Sequence, residues 1–217
     1  RGGSKRIKNK NIKKFKNKPI IFYTIENALR SKLFNKIHIS TDSKQIKKVV
    51  LKKSVKIDFM RPKSLSGDKT PLFDVYKFVV KEYEKRGVIF DEIWSIMPCA
   101  PNLNNKDLKN ISNFYNKLKT KNPVLSVSKY KVPIEWAYKI DRSGKLTSLN
   151  KKLQLFRSQD IDHRYFDAGQ FSIYPGNKIL KLNFIKKNYF YIGYKLPVKK
   201  SVDIDDIEDW KLAERLH

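Results

Sequence analysis

The sequence predicts an α/β fold, a mostly parallel sheet with helices on both faces. Two observations carry that expectation. Short β-branched runs alternate with amphipathic stretches of helical period, and capping or turn residues punctuate the helical stretches. At 217 residues the chain has the length of a single such domain.

The elements follow in order. Between residues 19 and 33, Ile21, Ile25, Ala28 and Leu29 recur at helical spacing, and Pro19 stands in a first turn, where its missing N–H costs nothing. KIHIST (36–41) and residues 55–60 read as strands, with a helix over 44–53 between them. Thr70 can cap and Pro71 can begin a helix in which Leu72, Val75, Val79 and Tyr83 share a face until Gly87 stops it. EIWSIM (92–97) is a strand with a buried pattern, residues 105–118 form a helix, and PVLSVS (123–128) is one more strand. From about 129 to 165 the periodicity fades, which predicts an irregular arm. Strands over 166–174 and 193–198 and a helix over 206–216 close the chain.

Composition excludes several classes. Hydrophobic residues are 40% and aromatics 12%, with a mean hydropathy of −0.59, values outside those of a disordered or a membrane-spanning chain. No apolar run reaches the roughly 20 residues of a transmembrane helix. The single cysteine, Cys99, excludes an internal disulfide framework and fits a reducing compartment, so a cytoplasmic location is expected. The formal charge is +27, enough to draw any polyanion. Nine of the 48 basic residues are Arg and 39 are Lys, spread along the chain instead of gathered in a stripe. A dedicated nucleic-acid face would favour Arg, so the reading is a solvated lysine surface.

The first residues concentrate chemistry. The chain opens without Met on Arg1, Gly2, Gly3, Ser4 and Lys5, and a glycine-rich loop ordinarily follows a strand, so an N-terminal strand is expected to precede it. Two glycines free the backbone N–H groups to face an anion, and Arg1, Lys5, Arg6 and Lys10 bring charge to the same place. Such a segment suits a phosphate chain. It lacks the Walker and dinucleotide patterns, and a solvated basic tail would share its composition. It leads, however, straight into the first helix.

Near the other end, Asp203 and Asp205 stand two apart in an extended segment at the carboxyl edge of a strand, so their carboxylates share a face. Two hard oxygen ligands that leave room for phosphate oxygens and water suit Mg2+. Asp206, Glu208 and Asp209 read instead as favourable charge at a helix N-terminus. Arg61 opens a loop that runs to Asp68, and an Arg-Pro turn is its plain alternative. Asp42 either supports a pocket or begins the next helix. The three histidines are scattered, no His/Cys cluster suggests zinc, and Cys99 without a His partner reads as a small buried thiol.

With these residues in view, the sequence resembles the acylneuraminate cytidylyltransferases. RGGSK (1–5) with Lys10-Asn11, KPIIFYTIENAL (18–29), STDSKQI (40–46), RPKSLSGD (61–68) and VDIDDIEDW (202–210) fall in the family's order. RSQD (157–160) and FDAGQF (166–171) look most like the branch that activates pseudaminic acid, whereas Met97 stands where the sialic acid branch has a glutamine, and FSIY (171–174) replaces the aromatic pair usual in the pseudaminic branch. The resemblance implies a Rossmann-like nucleotide-diphospho-sugar transferase fold in one domain over 1–217. It implies transfer of CMP from CTP to a nine-carbon sugar acid, with pyrophosphate released. Arg1, Lys5 and Lys10 would serve the triphosphate, Gly2, Gly3, Ser4, Asn11 and Arg61 the nucleotide, and Asp203 and Asp205 the magnesium ion. Arg157, Asp167 and Gln170 would face the sugar acid, Arg157 by pairing with its carboxylate. The arm over about 129–165 would mediate a homodimer.

Overall fold

The computed structural model describes residues 2–120, 122–182 and 190–217. A short hairpin of β1 (Lys14–Phe15) and β2 (Lys18–Pro19) leads into α1 (Ile20–Ser31). α2 (Lys44–Val50), α3 (Leu72–Glu84), β3 (Ile93–Ile96), α4 (Asn105–Lys117) and β4 (Val124–Lys129) follow. The arm carries a hairpin of β5 (Tyr138–Ile140) and β6 (Leu146–Ser148), and β7 (Tyr165–Tyr174), β8 (Ile192–Lys195) and α5 (Ile207–Leu216) complete the chain. α1 starts at Ile20 because Pro19 cannot donate, and it ends where Lys32 turns left-handed at φ 55°. At α3, Pro71 occupies the N-cap and Leu72 begins the helix, so Thr70 is not the cap that the sequence predicts.

The main sheet has the order β3-β7-β4-β8, and it corrects the expectation of a mostly parallel sheet. β7 pairs antiparallel with both β3 and β4, and only β4 and β8 pair in parallel. The cause lies in the connection. Parallel neighbours need a crossover, usually a helix, whereas β4 returns to β7 through the irregular arm. The segments 36–41 and 55–60, predicted as strands, form no ladder. A backbone bond from Arg61 N–H to the Thr41 carbonyl, at 2.8 Å, ties their ends.

Helices do cover both faces. α4 sets Leu108, Ile111 and Tyr115 against Val124, Phe171 and Ile173, while α3 sets Phe73 and Val80 against Tyr174. β7 thereby alternates its side chains between two helical layers. A third cluster joins Ile21 and Ile25 of α1 to Ile46 and Val50 of α2. In the arm, Leu155 and Ile140 are 90% and 70% exposed, and the Trp136 indole N–H and Glu135 Oε2 are buried without a partner among the described residues.

Candidate active site

The N-terminal loop is built from short-range turns and held by distant carboxylates. Ser4 N–H returns to the Gly2 carbonyl at 3.1 Å, and Gly2 N–H donates to Asp42 Oδ1 at 2.9 Å. Burial would raise the Asp42 carboxyl, but the Gly2 N–H and the charge of Arg61 outweigh it and hold the group below its ordinary value. A Cβ on Gly2 would stand 3.0 Å from Ser43 Cβ, so the loop approaches α2 as closely as only glycine comfortably permits. Asn9 turns left-handed at φ 54° and starts a 3-10 turn over Lys10–Ile12. That turn throws the Lys10 ammonium across to the opposite end of the chain.

There the segment before α5 presents the paired carboxylates. Ile204 is fully buried beside Phe15, Ile20 and Trp210, so the side chains on either side of it, Asp203 and Asp205, turn the other way. Trp210 rests edge-on against Phe15 at 5.4 Å and backs the segment. Asp206 caps α5 and closes a capping box with Asp209, whose Oδ2 also accepts the Asp205 N–H at 2.9 Å. The acidic run thus divides, with Asp206 and Asp209 serving the helix and Asp203 and Asp205 left outside it.

The loop and the carboxylates meet. Arg6 Nη2 lies 2.6 Å from Asp205 Oδ1, and Lys10 Nζ lies 4.0 Å from the same oxygen while donating to the Ile204 carbonyl. Lys5 reaches Asp68 at 2.5 Å, on the far loop. Asp203 makes no ion pair with a described residue. Partial removal from water and the neighbouring Asp205 raise its carboxyl, with Asp209 and Asp167 adding to the effect and Lys10 opposing it. A crowded carboxylate pair of hard oxygens, with Asp205 balanced by Arg6 and Lys10 and Asp203 without an ion pair among the described residues, is a donor set that fits Mg2+. Among the described residues no group of three or more His, Cys, Asp or Glu forms a complete cage, so such an ion would draw its remaining ligands from phosphate and water.

A cavity of about 780 Å³ opens beside these groups and is lined by Ser4, Lys5, Lys10, Asn11, Arg61 and Asp205, among others. Gly2 and Gly3, which precede Ser4 in the loop, are not among the residues that line it, and Arg1 lies outside the described residues. Arg61 is anchored by its Nε to Ser40 Oγ at 3.1 Å and by Nη2 to the Ser40 carbonyl at 2.8 Å. Met97, Pro98 and Cys99 form part of the wall, and burial pushes the Cys99 thiol up, which keeps it protonated.

The residues expected at the sugar separate. Asp167 takes the Gly169 N–H at 2.9 Å, and Gly169, at φ 61°, lies so close to Asp203 that a Cβ there would come within 3.1 Å of Asp203 Oδ2. Asp167 therefore belongs with the carboxylate pair. Gln170 is 2% exposed, and its amide donates to the Ala168 and Val202 carbonyls at 2.8 and 3.1 Å, tying β7 to the Asp203 segment. Arg157 stays out on the arm, paired with Asp160 at 2.7 Å. Sequence reasoning missed two contributors. Asp68 as the anchor of Lys5 had no local signal, whereas Gly169, a glycine inside a strand pattern, is a recognised mark of close backbone approach.

An α/β sheet with a basic loop set against paired carboxylates is the layout of a nucleotidyltransferase. The chain belongs to the cytidylyltransferase family, which it matches over residues 1–216. It is 33% identical to the pseudaminic acid cytidylyltransferase of Campylobacter jejuni over 217 residues, all of this chain and 93% of that protein. It is 28% identical over 231 residues to the CMP-N,N'-diacetyllegionaminic acid synthase of Legionella pneumophila, covering 100% and 92%. The structure of a CMP:2-keto-3-deoxy-manno-octonic acid synthetase complexed with CTP shares the fold at a TM-score of 0.70, with 13% identity over 99% of this chain and 93% of that one. Among the described residues no helix is long and apolar enough to cross a membrane.

Proposed function

We propose that this cytidylyltransferase transfers CMP from CTP to a nine-carbon, sialic-acid-like keto-sugar acid, pseudaminic acid being the preferred one. The anomeric hydroxyl oxygen of the sugar acid bonds to the α-phosphorus, the bond from that phosphorus to the bridging oxygen breaks, and pyrophosphate leaves. The hydroxyl proton is lost to solvent or base. The observation that carries the reading is the convergence of Arg6 and Lys10 on Asp205 at the mouth of the cavity. Lys5 and Lys10, with Arg1 preceding them, neutralise the triphosphate, and Gly2, Gly3 and Ser4 shape the loop around it. Asn11 and Arg61 face the nucleotide. Asp203 and Asp205 would hold Mg2+, which when bound supplies charge stabilisation on the phosphate oxygens. Asp167 lies on the sugar side of that pair, Gln170 fixes the backbone beneath it, and Arg157 pairs with the sugar carboxylate once released from Asp160.

The pseudaminic preference is supported by the Campylobacter relative and by Met97 in the cavity wall, which offers no amide to a sugar hydroxyl or N-acyl group. The apolar side chains exposed on the arm, Ile140 and Leu155 foremost, support a homodimer formed through it. Pyrophosphate release with CTP, Mg2+ and each of pseudaminic, legionaminic, N-acetylneuraminic and 3-deoxy-octulosonic acids tests the assignment. Turnover is expected to be fastest with pseudaminic acid, by about tenfold or more. Preference for another acid would overturn the branch, and no turnover with any of them would overturn the reaction.

A further inference from the structure

β4 and β7 lose register close to the carboxylates. Leu125 stands opposite Ser172 and Val127 opposite Asp167, so four residues of β7, 168–171, face Ser126 alone. The neighbours on either side stay regular. β3 pairs through Ile96 with Phe171, and the Met97 N–H carries that ladder on to the Gln170 carbonyl at 2.9 Å, while β4 pairs with β8 without a break through Ser126 and Tyr194. The extra length is therefore a bulge of β7 toward β4, and a bulge leaves backbone groups with no ladder partner opposite them.

Ser126 supplies what the ladder lacks. Its Oγ accepts the N–H groups of both Gln170 and Phe171, each at 3.1 Å, and the residue is fully buried. A buried N–H without an acceptor is costly, so one hydroxyl holds the bulge to one shape. Side chains of β7 close the rest of it. Asp167 Oδ1 accepts the Gly169 N–H at 2.9 Å, and the Gln170 amide donates to the Ala168 carbonyl at 2.8 Å.

The bulge meets the carboxylate segment twice. The Gln170 amide also donates to the Val202 carbonyl at 3.1 Å, and Gly169, left-handed at φ 61°, lies so close to Asp203 that a Cβ there would stand 3.1 Å from Oδ2 and 3.4 Å from Cγ. Asp203 has no ion pair among the described residues, so the bulge backbone and not an opposite charge locates its carboxylate. We infer that Ser126 is a positioning residue for Asp203: its hydroxyl, acting through Gln170 and Gly169, sets where that carboxylate stands. Ser126 does not line the cavity and touches no reacting group. The consequence for metal binding rests on the reading of Asp203 as a magnesium ligand, whereas the placement of the carboxylate does not. Ser128 provides the comparison. It lies two residues along β4 on the same face, is equally buried, and donates to the Leu196 carbonyl at 3.4 Å, outside the bulge.

The test follows the carboxyl carbon resonance of Asp203, assigned by its absence from Asp203→Asn, in the parent chain, Ser126→Ala, Ser126→Cys and Ser128→Ala. It is recorded first without metal and then through a titration with Mn2+ alone, whose paramagnetism broadens a bound carboxylate. Ser126→Ala and Ser128→Ala should both lower Tm. Only Ser126→Ala should move the metal-free resonance and raise the Mn2+ concentration that half-broadens it, by about tenfold or more. Ser126→Cys, close in volume but a weaker acceptor, should fall between parent and alanine, and it gives the same comparison if the alanine variant does not fold. A resonance left in place by the Ser126 substitutions would overturn the inference, and so would an equal displacement in Ser128→Ala, which would make the effect a general loosening. If Mn2+ broadens the resonance in none of the forms, the metal reading falls, while the metal-free spectra still decide the placement.

Discussion

Asp203 and Asp205 differ in what surrounds them, and the difference sets what each substitution should do. Asp205 is held by Arg6 and Lys10, whereas the charge of Asp205, with that of Asp209 and Asp167, bears on Asp203 and Lys10 opposes it. Asp203→Asn should lower kcat about 100-fold or more and weaken the dependence on magnesium, with Tm unchanged or raised, because it removes crowding as well as a ligand. Asp205→Asn should cost similar activity and also free Arg6. A magnesium titration of pyrophosphate release together with a thermal melt checks both, and near-normal rates would return the pair to a purely structural role. Lys10→Met should raise the KM for CTP tenfold or more, since a charge-assisted contact to phosphate is worth about 1.5–3 kcal/mol. Lys8→Ala, on an exposed side chain that does not line the cavity, should leave that KM within twofold. Spacing made Asp203, Asp205 and the basic loop legible in the sequence. It could not show that Gln170 spends its amide on two carbonyls or that Arg157 is paired with Asp160, because partners are set by three-dimensional packing.

Among the elements, the segment 36–41 carries a built-in pH response. His38 is stacked on Phe59 at 4.5 Å, bonded to Tyr83 and faced by Asp58, Lys36 and Arg61. Burial dominates, with Lys36 and Arg61 adding to it and Asp58 opposing it, and the imidazole is pushed down to about 4. The unfolded chain protonates His38 near 6.5, so between pH 6.5 and 4 it binds a proton that the folded chain refuses. Stability is complete above that window and falls as pH drops through it, by about 3 kcal/mol. Urea midpoints at pH 7 and 4.5 should converge in His38→Phe relative to the parent. A second element-level prediction concerns the exit of β7. Gly176 has φ 50°, and a Cβ there would lie 2.1 Å from the Phe90 carbonyl oxygen. Gly176→Ala should therefore cost about 3 kcal/mol or more in urea unfolding. The five α-helices of the described residues were legible from periodicity, although the cap of α3 is Pro71 and not Thr70. The antiparallel β7 was not, because its sequence reads the same in either direction and only the arm's course decides it.

For the molecule as a whole, the arm is the part that local rules described least and whose surface asks most for a partner. Fading periodicity is what set it apart in the sequence, and the structure adds exposed apolar side chains, Ile140 and Leu155 among them. If these side chains join two copies, Leu155→Asp combined with Ile140→Asp should shift the sedimenting species from dimer to monomer at micromolar concentration while leaving secondary structure intact. An unchanged dimer would place the interface elsewhere. The +27 charge predicts attraction of substrate polyanions at low ionic strength, lost as salt rises. The three tryptophans fall in three separate regions. Trp94 lines the cavity, Trp136 sits in the arm beside a buried glutamate, and Trp210 backs the carboxylate segment. Intrinsic fluorescence of single-tryptophan variants would therefore give three optical channels on one chain, one each for filling of the cavity, arm association and the charge state of the carboxylate pair.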